Sequence, residues 1–573
     1  MFGRMVACLA LGVSLMAPSN ARAQWTADPA ANTPVAIGPG GQYAPGGIPD
    51  GAGGAFIAWI DARDSAATGL DIWAQHLSSE GVRLWGDSGV PVASIAGDQR
   101  LSSLLATGDG GVLVAWNTDE TFPPPRVQRL DANGAPLWGP SGVAVTSMAG
   151  QHINPRLLAA SSGDVFVSWS TTENMSIMAQ RLDPDGQRLW GDDGVVVAAS
   201  FIPQAQRMVP DGAGGMILGW LDWRNPLYGN VFAQRIDGSG AAQWALNGVP
   251  VVGGLYEQAL LRCLEDGAGG MLLVWQDDRS TEWHVYAQRI GPDGAELWNP
   301  AGVEASTNVA RQQSPRLVSW VDGAALVSWT DNRSGLDAIF VQAWNTTGGR
   351  VWGDGGVPAG SISAAQPGGA VSDGHGGIIV GWAEARGIDQ DIFAQRVRTA
   401  GQPSFHFPEK LWGANGVVVS SAIGRQYQGS AVTDGVSPDV SGAIFFWQDQ
   451  RSDGGDIYAQ HVQPWGVLGP RLVSVETQSA PPRFALGLAG PQPCRTEAAL
   501  RLDLPADGNL DLVVLDLQGR RVRSLMRGTV PTGTHPVRWD LRDENGSRVS
   551  PGVYFASAQW RDERAGQRIV VLP

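Results

Sequence analysis

The chain has 573 residues, room for one large domain and a small one. Hydrophobic residues make up 43%, as in a soluble globular protein. The net charge of -15 argues against nucleic acid or an anionic membrane as a partner.

Taken in chain order, residues 1–23 read as a secretory signal. Arg4 supplies the positive start, residues 6–17 the apolar stretch, and Ala21-Arg22-Ala23 a small-x-small cleavage site. The mature chain is then expected to begin at Gln24. The apolar stretch is too short for a membrane span, and no later segment qualifies. This places the protein outside the cell or on a bacterial outer surface.

From residue 24 to 470 the chain repeats. Trp25, Trp85, Trp138, Trp190, Trp244, Trp298, Trp352, Trp412 and Trp465 are spaced by 60, 53, 52, 54, 54, 54, 60 and 53 residues. Eight intervals imply eight units. A second tryptophan ends an apolar run in each: Trp59, Trp116, Trp169, Trp220, Trp275, Trp329, Trp382 and Trp447. A glutamine follows it: Gln75, Gln128, Gln180, Gln234, Gln288, Gln342, Gln395 and Gln460. Turns such as Asp50-Gly51-Ala52-Gly53-Gly54 and Asp131-Ala132-Asn133-Gly134 separate the runs, because Gly and Asn/Asp tolerate the positive φ of tight hairpins. Each unit therefore reads as four antiparallel strands. The 77 glycines exclude long helices, and the period of about 54 residues is too long for a β-helix coil. The expected fold is all-β: an eight-bladed β-propeller followed by a small Ig-like β-sandwich. The segment after Trp25 is expected to supply the last strand of the eighth blade and so close the ring.

Residues 471–488 read as a linker and 489–573 as the second domain. Its expected strands lie at 500–504, 510–517, 537–541, 553–560 and 569–572. The run Asp516-Leu517-Gln518-Gly519-Arg520-Arg521-Val522, then Trp539-Asp540-Leu541-Arg542-Asp543-Glu544-Asn545-Gly546, then Gly552-Val553-Tyr554-Phe555, resembles the Ig-like domain of flagellar hook-capping (FlgD-like) proteins. The same pattern occurs in C-terminal sorting domains of surface proteins exported by type IX-like systems. Gly490-Pro491-Gln492-Pro493 is similar to the opening of such tails. The resemblance implies a sorting or attachment role for this end. The repeats resemble a secreted bacterial β-propeller.

The most suggestive recurring constellation is Trp-x-Asp-x-Arg: Asp61/Arg63, Asp222/Arg224, Asp277/Arg279, Asp331/Arg333 and Asp449/Arg451, with Glu384/Arg386 as a variant. A further acid or Asn follows at Asp71, Asn230, Asp337, Asp391 and Asp456. Such carboxylates would suit a cation or a polar ligand. Recurrence favours a brace in which Arg pairs with both acids. No metal spacing, cofactor motif or catalytic set stands out; Cys263 and Cys494 fall in different domains. Aromatics outside the repeat pattern are the binding candidates: Trp223, Tyr228 and Trp283, in loops after the second strands of two adjacent units. Broad apolar ring faces stack on sugars. The expected function is that of a secreted or cell-surface binding or structural protein, a monomer, whose propeller recognises a glycan or a protein partner. The alternative is a secreted propeller enzyme acting on polysaccharide, a glycoside hydrolase or lyase.

Overall fold

The computed structural model describes residues 24–572, except 94, 120–122, 200–203, 322, 361–364, 386–388, 401–406, 436–440, 453, 471–483, 489–493, 496, 532 and 562. The signal segment, Arg386, Pro481-Pro482 and Gly490-Pro491-Gln492-Pro493 lie outside the described residues. The chain divides into two compact units, Met1–Arg471 and Leu472–Pro573.

Among its described residues the first unit is all-β apart from one short helical turn, Ser65–Thr68. It contains eight antiparallel sheets of four strands, one with a fifth. In the first repeat these strands are Gln42–Pro49, Ala55–Asp61, Asp71–Leu77 and Val90–Pro91. The second strand is apolar on both faces and fully buried up to Trp59, because a sheet packs on each side of it. The fourth strand is short: Val90–Pro91, Val249–Pro250 and Val357–Pro358 are two residues long and end in proline.

The first strands of successive sheets touch in order, and the first strand of the eighth, Gln426–Thr433, touches that of the first, Gln42–Pro49. The eighth sheet takes its fourth strand from the chain start. Thr33–Ala36 pairs antiparallel with Asp456–Val462, with Thr33 opposite Ala459. Arg451 Nη1 donates to Ala31 O at 2.7 Å and its Nη2 to Asn32 Oδ1 at 2.8 Å, holding the segment that leads into this strand.

The glutamine of the third strand fixes the phrase around the outer tryptophan. Gln75 Nε2 donates to Gly86 O at 2.7 Å, and its Oε1 accepts from Trp85 N at 2.9 Å. The tryptophan then reaches the next repeat, where Trp85 Nε1 donates to Ala132 O at 3.0 Å. Gly134, at φ +81°, lies against that indole; a Cβ there would come within 2.9 Å of the ring. In the eighth repeat Gln460 Nε2 donates to Thr26 O at 2.6 Å, so the chain start supplies this phrase too. Trp25 plays the outer-tryptophan part, donating to Ser79 O.

This corrects the tryptophan series. Trp465 is 69% exposed, whereas Trp25, Trp85 and Trp412 are buried. It stands at the tip of the turn in which Gly466 N bonds Gln463 O, where the second repeat has Asn133. The residue that corresponds to Trp138 is Pro470. The eight outer tryptophans are Trp25 to Trp412, and the eighth repeat borrows the first of them.

The second unit is a sandwich of two sheets. One holds Ala485–Leu488, Ala498–Leu504 and Gly533–Trp539; the other holds Arg521–Val530, Gly508–Leu515, Gly552–Trp560 and Glu563–Val571. Leu500, Leu502 and Trp539 from one face meet Leu512, Val514 and Ala556 from the other in a single core. Two strands depart from expectation. Residues 485–488, read as linker, pair with Ala498–Leu504 and belong to this unit. Arg521–Val530 is a strand that its charge and half-buried pattern concealed. Cys263 and Cys494 are free thiols.

Candidate functional site

The recurring Trp-x-Asp-x-Arg constellation is a brace. Asp61 is buried; its Oδ2 accepts from Trp59 Nε1 at 2.8 Å, and its two oxygens take Arg63 Nε and Nη2 at 2.8 and 2.6 Å. The same fork joins Arg224 to Asp222, Arg279 to Asp277, Arg333 to Asp331 and Arg451 to Asp449. Each guanidinium also stacks on a third-strand ring, 3.6 Å from the centroid of Trp73 in the first repeat and 3.9 Å from that of Tyr458 in the eighth. Carboxylates saturated in this way have no lone pair aimed at solvent for a cation. In the first repeat the second acid does not join the pair. Asp71 instead accepts from Gln99 Nε2, at the start of the next sheet, and from Thr68 Oγ1. Desolvation on burial, opposed by the Thr68 hydrogen bond and reinforced by Asp64, Asp61 and Asp98, holds the Asp71 carboxyl above its usual range.

Two consecutive repeats lack the brace. The second has Asn117 and the third Ser170 where the others have the residue after tryptophan, and Thr118 and Thr171 replace the aspartate. Trp116 Nε1 is left buried without a partner. In the third repeat His152 Nδ1 takes over as acceptor for Trp169 Nε1 at 3.1 Å, and its Nε2 meets Met148 O at 3.1 Å. Asn117 bridges the two sheets: its Nδ2 donates to His152 O at 2.7 Å, and its Oδ1 accepts from Asn154 N at 3.0 Å. Between these repeats opens a cleft of about 490 Å³, lined among others by Arg100, Thr118, Asp119, Gln151 and Asn154. Arg100 and Asp119 form an exposed ion pair at 2.7 Å beside it. Thr118 Oγ1 is buried and lacks a hydrogen-bond partner.

The three aromatics singled out by sequence lie at the same ends of second strands, two repeats further on. Trp223 closes the strand Met216–Asn225 and Tyr228 opens Tyr228–Ile236; Trp283 precedes His284–Ile290. All three are half-buried. Trp223 lies over its own hairpin, where a Cβ on Gly229 would come within 2.8 Å of the ring, and its Nε1 is buried without a partner. No ring contact joins Trp223, Tyr228 and Trp283 among the described residues. Tyr256, which sequence reasoning missed, sits between the two loops. Asn230 Nδ2 donates to Tyr256 O at 3.0 Å, and the Arg279 guanidinium lies 5.8 Å from the Tyr256 ring centroid. Leu255, directly before this tyrosine, and Leu227 of the Trp223 hairpin are exposed. The signal was an aromatic in the inter-repeat loop of the same two units.

A buried network stands behind Trp283. Tyr286 Oη donates to Glu304 Oε1 at 2.6 Å, and His284 Nδ1 is 3.6 Å from the same oxygen. The Glu304 carboxylate holds His284 above its ordinary value despite burial, and His284 in turn holds Glu304 below its own. With His284 and Tyr286 buried, this is an internal tie between the third and fourth strands.

Comparison with known proteins gives one family match and weak structural likenesses. No curated protein matches the chain. The lectin BP39L from Burkholderia pseudomallei is 13% identical, with 64% of this chain and 97% of that one covered, at a TM-score of 0.41. A polysaccharide lyase of family PL25, an ulvan lyase, is 12% identical over 64% and 92% at 0.39. A puromycin hydrolase mutant is 13% identical over 71% and 58% at 0.40. At scores this low these likenesses carry no argument. No helix among the described residues is long and apolar enough to cross a membrane. The family match lies in the second unit, where residues 495–563 form a FlgD Ig-like domain.

Proposed function

We propose that residues 24–470 form a closed eight-bladed β-propeller that binds a hydroxyl-rich partner, a glycan or a polar protein surface. We further propose that the chain is secreted by a bacterium and that its FlgD-like unit serves sorting or attachment. The cyclic contacts of the eight first strands and the pairing of Thr33–Ala36 with Asp456–Val462 support the ring. The observation that carries the binding reading is the cleft at the two repeats that lack the carboxylate brace. Its volume is that of a small-ligand site. Amide and hydroxyl side chains line it, and Thr118 Oγ1 waits there for a partner that a ligand hydroxyl would supply. Trp223, Tyr228 and Trp283, on the same end of neighbouring sheets, would extend the contact by stacking. The polysaccharide-cleaving alternative needs a free acid–base pair, and both ring nitrogens of His152 are already engaged.

Thr118→Val tests the cleft. It removes a hydroxyl with no partner, so thermal stability should hold or rise slightly. Binding to a glycan identified on an array should fall about tenfold, as for loss of one hydrogen bond. The Trp223→Ala/Trp283→Ala double variant tests the extension in the same assay. Unchanged glycan affinity in Thr118→Val would remove the cleft from the binding surface.

A further inference from the structure

Four arginines occupy one register position on four consecutive first strands. Arg156 lies opposite Ser168, Arg207 opposite Gly219, Arg262 opposite Val274 and Arg316 opposite Ser328, each partner being the residue immediately before the second-strand tryptophan. These strands, His152–Ala159, Gln204–Pro210, Gln258–Glu265 and Gln312–Val321, pack against one another in sequence. At the same position three of the other first strands carry Gly46, Ser103 and Ser430.

The arginines follow a bulge that the first strands share, since register shifts also precede Gly46, Ser103 and Ser430 and Ala44 is left-handed at φ 48°. A register shift precedes each arginine, and the residue two before it is left-handed in three strands: Asn154 at φ 56°, Leu260 at φ 53° and Ser314 at φ 55°. For leucine this conformation is costly, and such strain persists where the surrounding structure imposes it. Bulges of this kind re-aim a side chain.

The charges are close and poorly compensated. Five arginines elsewhere in this acidic chain, those of the braces, are forked to buried carboxylates. Among the described residues no carboxylate pairs with Arg156, Arg262 or Arg316. Arg156 Nη1 donates to Ser102 O at 2.6 Å and Arg262 Nη1 to Leu261 O at 2.9 Å, while Arg156 Nε is buried without a partner. Burial, and then Arg207, lowers Arg156 to about 10; burial, then Arg207, Arg316 and Arg156, lowers Arg262 to about 10. All four stay cationic at neutral pH. Burial pushes the neighbouring Cys263 thiol up to about 12, so it supplies no thiolate counter-charge.

We propose that Arg156, Arg207, Arg262 and Arg316 form a binding site for an oxyanion, a carboxylate, sulfate or phosphate group, free or borne on an acidic saccharide. Planar guanidinium forks match such groups in shape and charge. An anion would relieve the repulsion of clustered, desolvated cations. Ser102, which accepts from Arg156, also lines the cleft of the second and third repeats, so the two sites adjoin. The anion site stands without the glycan reading, because inorganic sulfate alone would occupy it.

The test is thermal unfolding and isothermal titration of the full chain with sodium sulfate up to about 10 mM, against chloride at equal ionic strength. A saturable rise of roughly 2 °C over chloride is expected. Arg207→Gln and Arg262→Gln should lose most of that rise; if either fails to fold, the wild-type titration still decides. No saturable difference between sulfate and chloride would overturn the site, as would an unchanged response in both variants. An oligogalacturonate titrated beside a neutral oligogalactan separates the sources. Tighter binding of the acidic oligomer than of sulfate assigns the saccharide, and a response to inorganic anion alone assigns a free oxyanion.

Discussion

Asp449 is where the brace and the chain start meet, and Asp449→Ala should loosen both. Its Oδ2 accepts from Trp447 Nε1 at 2.9 Å and Arg451 Nη2 at 2.7 Å; its Oδ1 accepts from Arg451 N and Nε, each at 2.9 Å. The carboxylate is buried, so its loss leaves an indole N–H unpaired and a largely buried guanidinium without its counter-ion. Breaking a buried pair from one side costs about 3–5 kcal/mol. Arg451 also fastens Ala30, Ala31 and Asn32, so part of the cost should appear as detachment of Thr33–Ala36. At about 2.1 cal/mol/K per residue, a unit of about 440 residues has an unfolding entropy of about 0.9 kcal/mol/K. The melting temperature should therefore fall by about 3–5 °C in scanning calorimetry. Limited proteolysis should cut near residues 24–36 in the variant before it cuts elsewhere. A fall below about 1 °C with an unchanged cleavage pattern would refute the view that this carboxylate secures the closing strand.

Two further outcomes follow from the packing. Trp412→Ala should cost about 3–5 kcal/mol, as for a buried aromatic, while Trp465→Ser should change stability by no more than about 0.5 kcal/mol; equal losses in urea titration would restore Trp465 to the core series. Glu304→Gln should flatten the pH profile of the melting temperature at both ends. Glu304 is held below its ordinary 4.5, so its contribution is present above that value and fades as pH falls through the lower folded value; His284 is held above its ordinary 6.5, so its contribution is full below that value and fades as pH rises through the higher folded value. An identical profile in wild type and variant between about pH 3 and 8, which takes in the loss of the Glu304 contribution below 4.5 and of the His284 contribution above 6.5, would sink this assignment.

The repeat was legible because its anchors carry geometry. A glutamine that must bond Gly86 O and Trp85 N cannot be replaced without losing the turn, so it recurs in every unit. The Trp465 error has the same root. A Pro-Trp-Gly turn tip imitates the outer phrase in sequence, and only burial tells them apart. The second acid of the brace was misassigned because spacing cannot say whether Asp71 turns toward Arg63 or toward the next sheet. The arginine cluster was not legible at all. Each of four first strands contributes a single arginine behind a bulge, so the shared register appears only once the strands are paired. Trp223, read as a loop residue after the second strand, lies inside the extended strand Met216–Asn225, and Tyr256 came from a loop whose path the sequence did not reveal.

The proline-ended outer strands bear on how such a chain avoids its own copies. Eight repeated sheets present eight outer edges, each a template that another molecule could extend. Edges only two residues long, closed by Pro91, Pro250 or Pro358, offer little to pair with, since proline lacks the donor that the ladder needs. The closing strand Thr33–Ala36 obeys the same rule through Pro34. Its phrase must wait for partners 434 residues away, as between Thr26 and Gln460. During that wait it is open to mispairing, and Pro34 makes it a poor template for a stranger while leaving it fit for its own sheet.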